Sequence, residues 1–305
     1  MAGPPITIAP MPAVVHRAEV PVREVSEGDI AFARQMLGVA AGSARIGASV
    51  YVVNPGDRQM PVHVHADEEE IFYVLSGGGL SWQRDGACAV GPGDVVVQPP
   101  RGVPHTFLAG DEGLELLAFA SGTDTSITYL PRAKTMWCGA RWVPVDGPHP
   151  FRAEGLAGPL ERPQPGERPA NVIALDAVEA EVRPGSEIRR AAAAAGSAKA
   201  GLNHVELQAG AAAAPLHCHA QEEELFYVLS GNGRMRLGDD EHPLSAGDVV
   251  ARPPGTAVAH RIVAGEVGLT YLVYGTRVPG DSVLYPDQGR VWLRGLGVTL
   301  DVSAS

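Results

Sequence analysis

Two short stretches of the sequence concentrate side chains that bind transition metals. The first, from His63 to Gly77, reads His-Val-His-Ala-Asp-Glu-Glu-Glu-Ile-Phe-Tyr-Val-Leu-Ser-Gly. The second, from His217 to Gly231, reads His-Cys-His-Ala-Gln-Glu-Glu-Glu-Leu-Phe-Tyr-Val-Leu-Ser-Gly. Residues two apart on a β-strand share a face, so the two histidines of each stretch project together. Imidazoles beside a carboxylate form a transition-metal site, and each stretch therefore predicts one bound metal.

Each cluster needs a strand that turns back toward it. After the acidic residues, both stretches continue as β-branched and aromatic runs, Ile71-Phe72-Tyr73-Val74 in the first and Leu225-Phe226-Tyr227-Val228 in the second. Such runs favour β-strands. We therefore expect this return strand to bring Glu70, or Glu224, beside the histidines.

The two stretches are parts of a longer repeat. His217 lies 154 residues after His63 (217 − 63), and the same offset holds for the acidic cluster, the turn glycine and a later Gly-Asp pair. Beyond that pair the second copy carries one extra residue, and a Pro-Gly turn ends at His105 in the first copy and at His260 in the second. A register held over so long a stretch indicates a duplicated domain.

The length of 305 residues also favours two domains. We predict an N-terminal domain at residues 1–145, a Pro- and Gly-rich linker at 146–170, and a C-terminal domain at 171–305. Within the first domain, residues 1–30 are interpreted as an arm or edge strand that pairs with the other domain or with another subunit. Ile30 to Leu37 is predicted to form a short helix.

The composition restricts the class of function. The 37 glycines and 26 prolines, without a long amphipathic period, favour short strands and many turns. A net charge of −11 without a basic cluster argues against nucleic acid or an anionic membrane as a partner, so we expect a small-molecule substrate and allow a homodimer. Three scattered cysteines and the lack of a long apolar stretch predict reduced thiols in a cytoplasmic protein.

The order of these features resembles the cupin superfamily. Each half carries His-x-His, then a glutamate, a turn glycine, a Gly-Asp pair and a third histidine after a Pro-Gly turn. The resemblance implies an all-β bicupin of two antiparallel jelly-roll β-barrels, each binding a divalent metal. The implied ligands are His63, His65, Glu70 and His105 in the first barrel, and His217, His219, Glu224 and His260 in the second.

Neighbouring carboxylates compete for the ligand role. Glu69 and Glu223 belong to the same acidic runs, which are usually solvated turns. We prefer Glu70 and Glu224 because each lies seven residues before the turn glycine, the spacing of the cupin family.

Other polar residues are candidates for the pockets. Strand alternation points Ser49 and Tyr51 inward in the first barrel, where the second barrel has Asn203 and Val205. Hydroxyl groups orient polar substrates, so the first barrel is expected to be catalytic, with Glu70 and Tyr51 as catalytic residues.

Arg252 resembles an anion-binding group beside the second site. If Val249 and Ala251 face the barrel interior, however, strand alternation turns Arg252 outward. Gln98, at the matching place in the first barrel, is also polar. We therefore interpret Arg252 as a surface residue.

The resemblance implies a metal-dependent enzyme, for which we predict a dioxygenase, an oxidoreductase acting on a small organic acid or phenolic compound. Iron or manganese is the expected metal, with nickel, copper and zinc as alternatives. A non-catalytic, metal-stabilised binding protein and a cupin decarboxylase or isomerase remain open. Oxalate-decarboxylase-like chemistry is less favoured, because such bicupins carry an arginine before the first histidine and a tryptophan between the pair. Here Pro61-Val62 and Val64 occupy those places.

Overall fold

A computed structural model describes residues 14–121, 126–138, 142–143 and 148–302. The first half is built from the following strands: β1 (Val15–His16), β2 (Val22–Glu27), β3 (Ile30–Gln35), β4 (Ile46–Val53), β5 (Val64–His65), β6 (Glu70–Gln83), β7 (Gly86–Val90), β8 (Asp94–Gln98), β9 (His105–Ser121), β10 (Ile127–Leu130), β11 (Thr135–Cys138) and β12 (Trp142–Val143).

The second half repeats this order. Its strands are β13 (Val172–Ala174), β14 (Ala180–Arg183), β15 (Ser186–Arg189), β16 (Ala200–Leu207), β17 (Cys218–His219), β18 (Glu224–Leu237), β19 (Asp240–Ser245), β20 (Asp248–Arg252), β21 (His260–Thr276), β22 (Ser282–Tyr285), β23 (Arg290–Leu293) and β24 (Val298–Asp301). Short helices are α1 (Leu37–Ala40), α2 (Pro150–Leu156) and α3 (Ala191–Ala194), with 3-10 turns at Arg17–Glu19, Leu175–Ala177, Pro286–Gln288 and Arg294–Leu296.

Each half folds as a large and a small antiparallel sheet. In the first half the large sheet runs β13-β8-β6-β9-β4-β3-β2, with β7 beside β6, and the small sheet runs β12-β11-β10-β5. The second half has the equivalent orders β1-β20-β18-β21-β16-β15-β14, with β19 beside β18, and β17-β22-β23-β24. The prediction of an all-β protein with two antiparallel barrels is confirmed.

The repeated turn glycines mark where β6 and β18 bend. Gly77 and Gly231 have positive φ angles of 72° and 83°. A Cβ atom on either residue would lie 2.3 Å from a backbone carbonyl oxygen of the strand behind it, Gly113 O or Gly268 O. Only glycine fits such a position. The glycine of each motif therefore sets the close approach of β6 to β9 and of β18 to β21.

The two barrels exchange edge strands. β1 pairs with β20 of the second barrel, with Val15 opposite Val249, and β13 pairs with β8 of the first, with Val172 opposite Val96. Pairing of the arm with the other barrel is thus observed for Val15–His16, whereas residues 1–13 lie outside the described residues. The proposed domain boundaries at 145 and 171 stay a prediction. β1 lies before the first boundary but pairs with a strand of the second barrel, and β13 lies after the second boundary but pairs with a strand of the first.

The helix predicted for Ile30 to Leu37 is wrong. Ile30–Gln35 forms a strand, and the helix α1 begins only at Leu37. Ile30 and Phe32 are buried on the inner face of the first barrel. The short apolar run has no helical period of its own, and pairing with β2 and β4 decides its conformation.

Three large apolar clusters organise the interior of the described part of the chain, beside a small one around Leu216, Cys218 and Ala259. One fills the first barrel around Phe72 and Phe107, and another fills the second around Phe226 and Tyr271. The largest cluster lies between the barrels and combines residues of both outer sheet faces, such as Val97 and Leu202. At its centre the rings of Phe119 and Tyr274 stack with centroids 5.1 Å apart and an interplanar angle of 7°.

The segment after the first barrel packs along it. Glu154 of α2 is fully buried and lies 2.7 Å from the guanidinium of Arg58, which is also bonded to Asp29 at 2.6 Å. Farther on, Arg168 binds both oxygens of Asp94 at 2.6 and 2.7 Å. Among the described helices, none is long and apolar enough to cross a bilayer.

Candidate metal centres

The four predicted ligands of the first barrel converge on one point. The Nε2 atoms of His63, His65 and His105 lie 3.2, 3.2 and 3.0 Å from Glu70 Oε2. All four side chains are buried or nearly so, with side-chain exposures between 3% and 16%. The structure therefore brings together three imidazoles and one carboxylate inside the barrel.

Strand pairing explains part of this convergence. His63 and His105 form an antiparallel bridge, closed by His63 N–H to His105 O at 3.2 Å and His105 N–H to His63 O at 2.9 Å. His65 follows on β5, and β6 begins at Glu70. In the antiparallel β6–β9 pair, Glu70 stands opposite Ala120 and Gln83 stands opposite His105, so Glu70 meets His105 through its side chain and not as a paired strand neighbour.

Hydrogen bonds to the opposite ring nitrogens orient the imidazoles. His63 Nδ1 donates to Pro61 O at 2.8 Å, and His105 Nδ1 donates to Val103 O at 3.1 Å. His65 Nδ1 lies 3.0 Å from Thr128 Oγ1 and 3.1 Å from Glu68 Oε2. Because their Nδ1 atoms are directed at fixed acceptors, the Nε2 atoms point at Glu70, where a metal ion could replace the proton shared with the carboxylate.

The second barrel repeats the arrangement more loosely. The Nε2 atoms of His217, His219 and His260 lie 3.7, 3.4 and 2.9 Å from Glu224 Oε2. His217 Nδ1 donates to Pro215 O at 2.9 Å, as in the first barrel.

The second histidine of this barrel has a stronger partner than its counterpart. His219 Nδ1 lies 2.7 Å from Oδ2 of the buried Asp281. The other oxygen of Asp281 accepts from the backbone N–H groups of Gln221 and Glu222 at 2.8 and 3.2 Å. Asp281 is thereby fixed as an orienting partner of His219, a carboxylate–histidine arrangement typical of metal sites.

The electrostatics of both centres keep the glutamates charged. Burial alone raises the pKa of Glu70, but the charge of His65 and hydrogen bonds from His105 and His63 bring it well below its usual range. The pKa of Glu224 is likewise lowered well below its usual range, since the pairing with His219 and His260 outweighs its burial. Both carboxylates are therefore ionised and able to bind a cation.

The histidines differ in the direction in which their pKa values are shifted. Burial opposes a higher pKa for His65, yet the charges of Glu70 and Glu68 raise it. Against the same effect of burial, the pKa of His219 rises to about 9 through Glu224 and Asp281. Burial, and next the neighbouring histidine, lowers the pKa of His105 and of His217. A bound cation in place of the proton would satisfy all of these groups at once.

The residues present fit a divalent transition metal. His65 Nε2 is a buried nitrogen without a hydrogen-bond partner in the described part of the chain, and it faces the carboxylate. Three ligand atoms of each centre lie within 4.8 Å of one another, those of His63, His65 and Glu70 and those of His217, Glu224 and His260. Imidazole and carboxylate ligands suit Fe, Mn, Ni, Cu and Zn. Both halves therefore contain a candidate metal site.

The rival carboxylates, Glu69 and Glu223, form hydrogen bonds with the opposite barrel. Glu69 accepts hydrogen bonds from Ser197 Oγ at 2.5 Å and Ala198 N at 3.2 Å, both in the second barrel. Sequence reasoning placed such acidic runs in solvent, but Glu69 and Glu223 are 1% and 0% exposed. The sequence did hold a signal, because each glutamate binds the Ala-Gly-Ser-Ala repeat of the opposite half.

Glu223 makes the reciprocal contact in the first barrel. Its oxygens accept from Ser43 Oγ at 2.9 Å, Ala44 N at 2.8 Å and Arg45 N at 2.7 Å. We call the Glu69 and Glu223 contacts together the carboxylate clasp. The clasp joins the two barrels directly beside each candidate ligand, Glu70 or Glu224.

The predicted pocket residues of the first barrel lie on its inner face. Tyr51 is buried, and its ring packs edge-to-face on Phe32 at 5.5 Å. Its pKa is raised, chiefly by burial and further by Glu70, while Arg34 opposes the shift. Ser49 Oγ accepts from Arg34 Nε at 3.0 Å, and the Arg34 guanidinium lies 5.1 Å from the Tyr51 ring centroid. Arg34 was missed because the segment was taken for a helix.

The matching positions of the second barrel are less polar. Val205 is buried on the inner face, and Ile188 stands opposite it, where the first barrel has Tyr51 and Arg34. A tyrosine hydroxyl comes instead from Tyr271, whose pKa burial raises, with a further contribution from Glu224.

The outward orientation predicted for Arg252 is wrong. Arg252 stands directly opposite Glu224 in the β18–β20 pair, and paired residues project on the same face. Val249 and Ala251 lie instead in the cluster between the barrels, and Val250 lies in the barrel interior. The prediction failed because apolar residues were assigned to the interior, although here both faces of β20 are buried.

Comparison with known proteins agrees with this architecture. The family described as "Cupin domain" matches residues 49–120 and 203–273, one region in each half. The chain is a two-domain cupin. No curated protein matches the sequence.

Solved bicupin structures share the fold. The bicupin resembles oxalate decarboxylase from Bacillus subtilis, with 19% identity, 92% of this chain and 80% of that chain covered, and a TM-score of 0.61. It also resembles the formate complex of oxalate decarboxylase from Lactobacillus farciminis, with 17% identity, coverage of 92% and 90%, and a TM-score of 0.62. Identities this low show the shared fold alone.

Proposed function

We propose that this bicupin is a metal-dependent enzyme that oxidises a small organic acid or phenolic compound with dioxygen. The observation that carries the proposal is the convergence of three imidazole Nε2 atoms on Glu70 Oε2 within 3.2 Å inside an apolar barrel. Three nitrogens and one oxygen leave coordination positions of a six-coordinate metal free for substrate. Iron or manganese is the metal that we propose in each barrel.

The bound metal would supply Lewis acidity and redox capacity. The chain itself supplies the surroundings of the reaction. Glu70 remains ionised, and the buried ring of Phe72 lies 6.5 Å from the His105 ring and packs against Phe107, which gives the site an apolar side. Tyr51, with a raised pKa, keeps its phenolic proton and is available to donate a hydrogen bond to a substrate oxygen.

A cleft lies beside Phe32 and Arg34 of the first barrel. It has a volume of about 420 Å³, and its walls include Phe32, Arg34, Met60, Trp142 and Phe151. Phe32 and Arg34 contact Tyr51 on the inner face. A planar phenol or acid would find aromatic surface there, and both arginines and glutamates, Arg23, Arg34, Glu24 and Glu27, to bind its polar groups. This favours the first barrel as the catalytic one, with Glu70 and Tyr51 as its catalytic residues.

Decarboxylation is the second candidate. An arginine on the inner face of each barrel, Arg34 or Arg252, suits a carboxylate substrate, and oxalate decarboxylases share the fold. Val64 between the first two histidines and Pro61-Val62 before them depart from the pattern expected for oxalate decarboxylases, so oxygenation stands first.

One assay separates these functions. The protein is prepared anaerobically, loaded with Fe²⁺ or Mn²⁺, and then mixed with catechols, hydroxy acids, diketones or oxalate in air-saturated buffer. Oxygen uptake equal to substrate consumed supports a dioxygenase, and CO₂ release without net oxygen uptake supports a decarboxylase. Metal binding without turnover of any of these compounds would indicate the non-catalytic binding protein.

We further propose a cytoplasmic location, which the free cysteines support, and allow a homodimer.

A further inference from the structure

The third histidine is held differently in the two barrels. In the first, His105 Nδ1 donates to Val103 O at 3.1 Å. In the second, His260 Nδ1 is buried without a partner among the residues that the structure describes. The equivalent carbonyl, that of Val258, accepts instead from Arg252 Nη2 at 2.9 Å.

Arg252 donates its hydrogen bond to the Val258 carbonyl from a position beside the second metal centre. It pairs with Glu224 across β18 and β20, where the first barrel has Gln98 opposite Glu70. Its side chain is half-buried, and Nη2 is also 3.5 Å from Thr256 Oγ1. Its Nε atom is buried and has no hydrogen-bond partner within the described residues. One edge of the guanidinium is thus only partly used.

We propose that Arg252 binds the carboxylate group of an anionic ligand beside the Glu224 centre, releasing the Val258 carbonyl to accept a hydrogen bond from His260. The Nε and Nη2 edge of an arginine matches a carboxylate, which accepts two parallel hydrogen bonds. Binding would exchange a neutral acceptor for a charged one and would give the buried Nε a partner. The His260 ring would then be held as His105 is held in the first barrel.

The first barrel has no arginine at the position that matches Arg252. Gln98 is neutral and 2% exposed, and Arg34 is already engaged with Ser49 and the Tyr51 ring. Carboxylate recognition by an arginine edge with an unpartnered Nε is therefore assigned to the second barrel. This inference rests on the proposed function only in taking the ligand to be a small acid.

The test uses full-length protein in a His63→Ala background, in which the first centre is disabled. Oxalate serves as the probe and is titrated by calorimetry into the Mn²⁺-loaded protein, with metal content measured before and after to exclude chelation. Arg252→Gln should weaken oxalate binding about ten- to hundredfold, the effect of losing a charge-assisted hydrogen-bonded pair. Arg252→Lys, which keeps the charge but not the planar edge, should recover only part of the affinity.

Arg234→Gln is the matched control, because it removes the same charge from an exposed pair with Glu241. It should bind oxalate as the background does. Equal affinities for Arg252→Gln and Arg234→Gln at equal metal content would overturn the inference. Because the readout is binding, Arg252-dependent affinity would uphold the inference even if the metal-loaded wild-type protein turned over none of the tested compounds, a result that would reject only the proposed function.

Discussion

The carboxylate clasp predicts that conservative changes far from solvent weaken the contact between the barrels. Glu223→Gln keeps the size of the side chain but removes its charge and presents an NH₂ group to donors. The Ser43 hydroxyl and the N–H groups of Ala44 and Arg45 all point at this carboxylate within 2.9 Å. At least one of these buried donors would lose its acceptor.

The magnitude follows from the number of donors. A hydrogen bond to a charged group contributes about 1.5 to 3 kcal/mol, and an unsatisfied buried donor costs about 1 to 3 kcal/mol. Glutamine retains one carbonyl oxygen, so we expect Glu223→Gln to cost about 2 to 4 kcal/mol of unfolding free energy. Glu69→Gln, with Ser197 and Ala198 as donors, should cost somewhat less.

Thermal unfolding measures this effect. For a chain of this size, 1 kcal/mol lowers Tm by roughly 2 °C, so Glu223→Gln should lower Tm by about 4 °C or more. Glu241→Gln is the control, because Glu241 forms an exposed pair with Arg234 worth about 0 to 1 kcal/mol. If Glu223→Gln and Glu241→Gln shifted Tm equally, the clasp would not hold the barrels together.

Three further predictions concern the centres and the arm. His63→Ala and His217→Ala should each lower bound metal by about half and together abolish it, as elemental analysis would show; two metals per chain in the double variant would contradict the ligand assignment. Glu70→Gln should abolish turnover, whereas Glu224→Gln should lower Tm more than rate at matched metal loading; the opposite pattern would reverse the roles of the barrels. Deleting residues 1–20 removes β1 from the edge of β20 and should lower Tm or dissociate a dimer, and unchanged Tm and light-scattering mass would reject that role of the arm.

The centres could be predicted because their ligands come from local motifs. His63 and His65 share a face by strand alternation, and the resemblance to cupins identified Glu70 and the third histidine as the other ligands. The all-β fold followed from the same repeat and from the glycine turns. Such features depend on short spacings that the sequence displays directly.

The errors arose where tertiary contacts decide orientation. β20 is covered on one face by its own barrel and on the other by the partner barrel, so apolarity did not reveal which way Arg252 points. Glu69 and Glu223 adjoin the ligands but serve the opposite half, a contact between residues more than a hundred positions apart. Ile30–Gln35 is a strand only because β2 and β4 flank it.

Anomalous diffraction from crystals of the metal-loaded bicupin tests the central claim most directly. We expect two peaks per chain, each about 2.0 to 2.2 Å from the Nε2 atoms of three histidines and from one glutamate oxygen. The first should lie among His63, His65, Glu70 and His105, and the second among His217, His219, Glu224 and His260. Asp281 and Glu222, which with His219 form another candidate group, should remain unligated. A peak at that group, or none beside Glu70, would contradict the account.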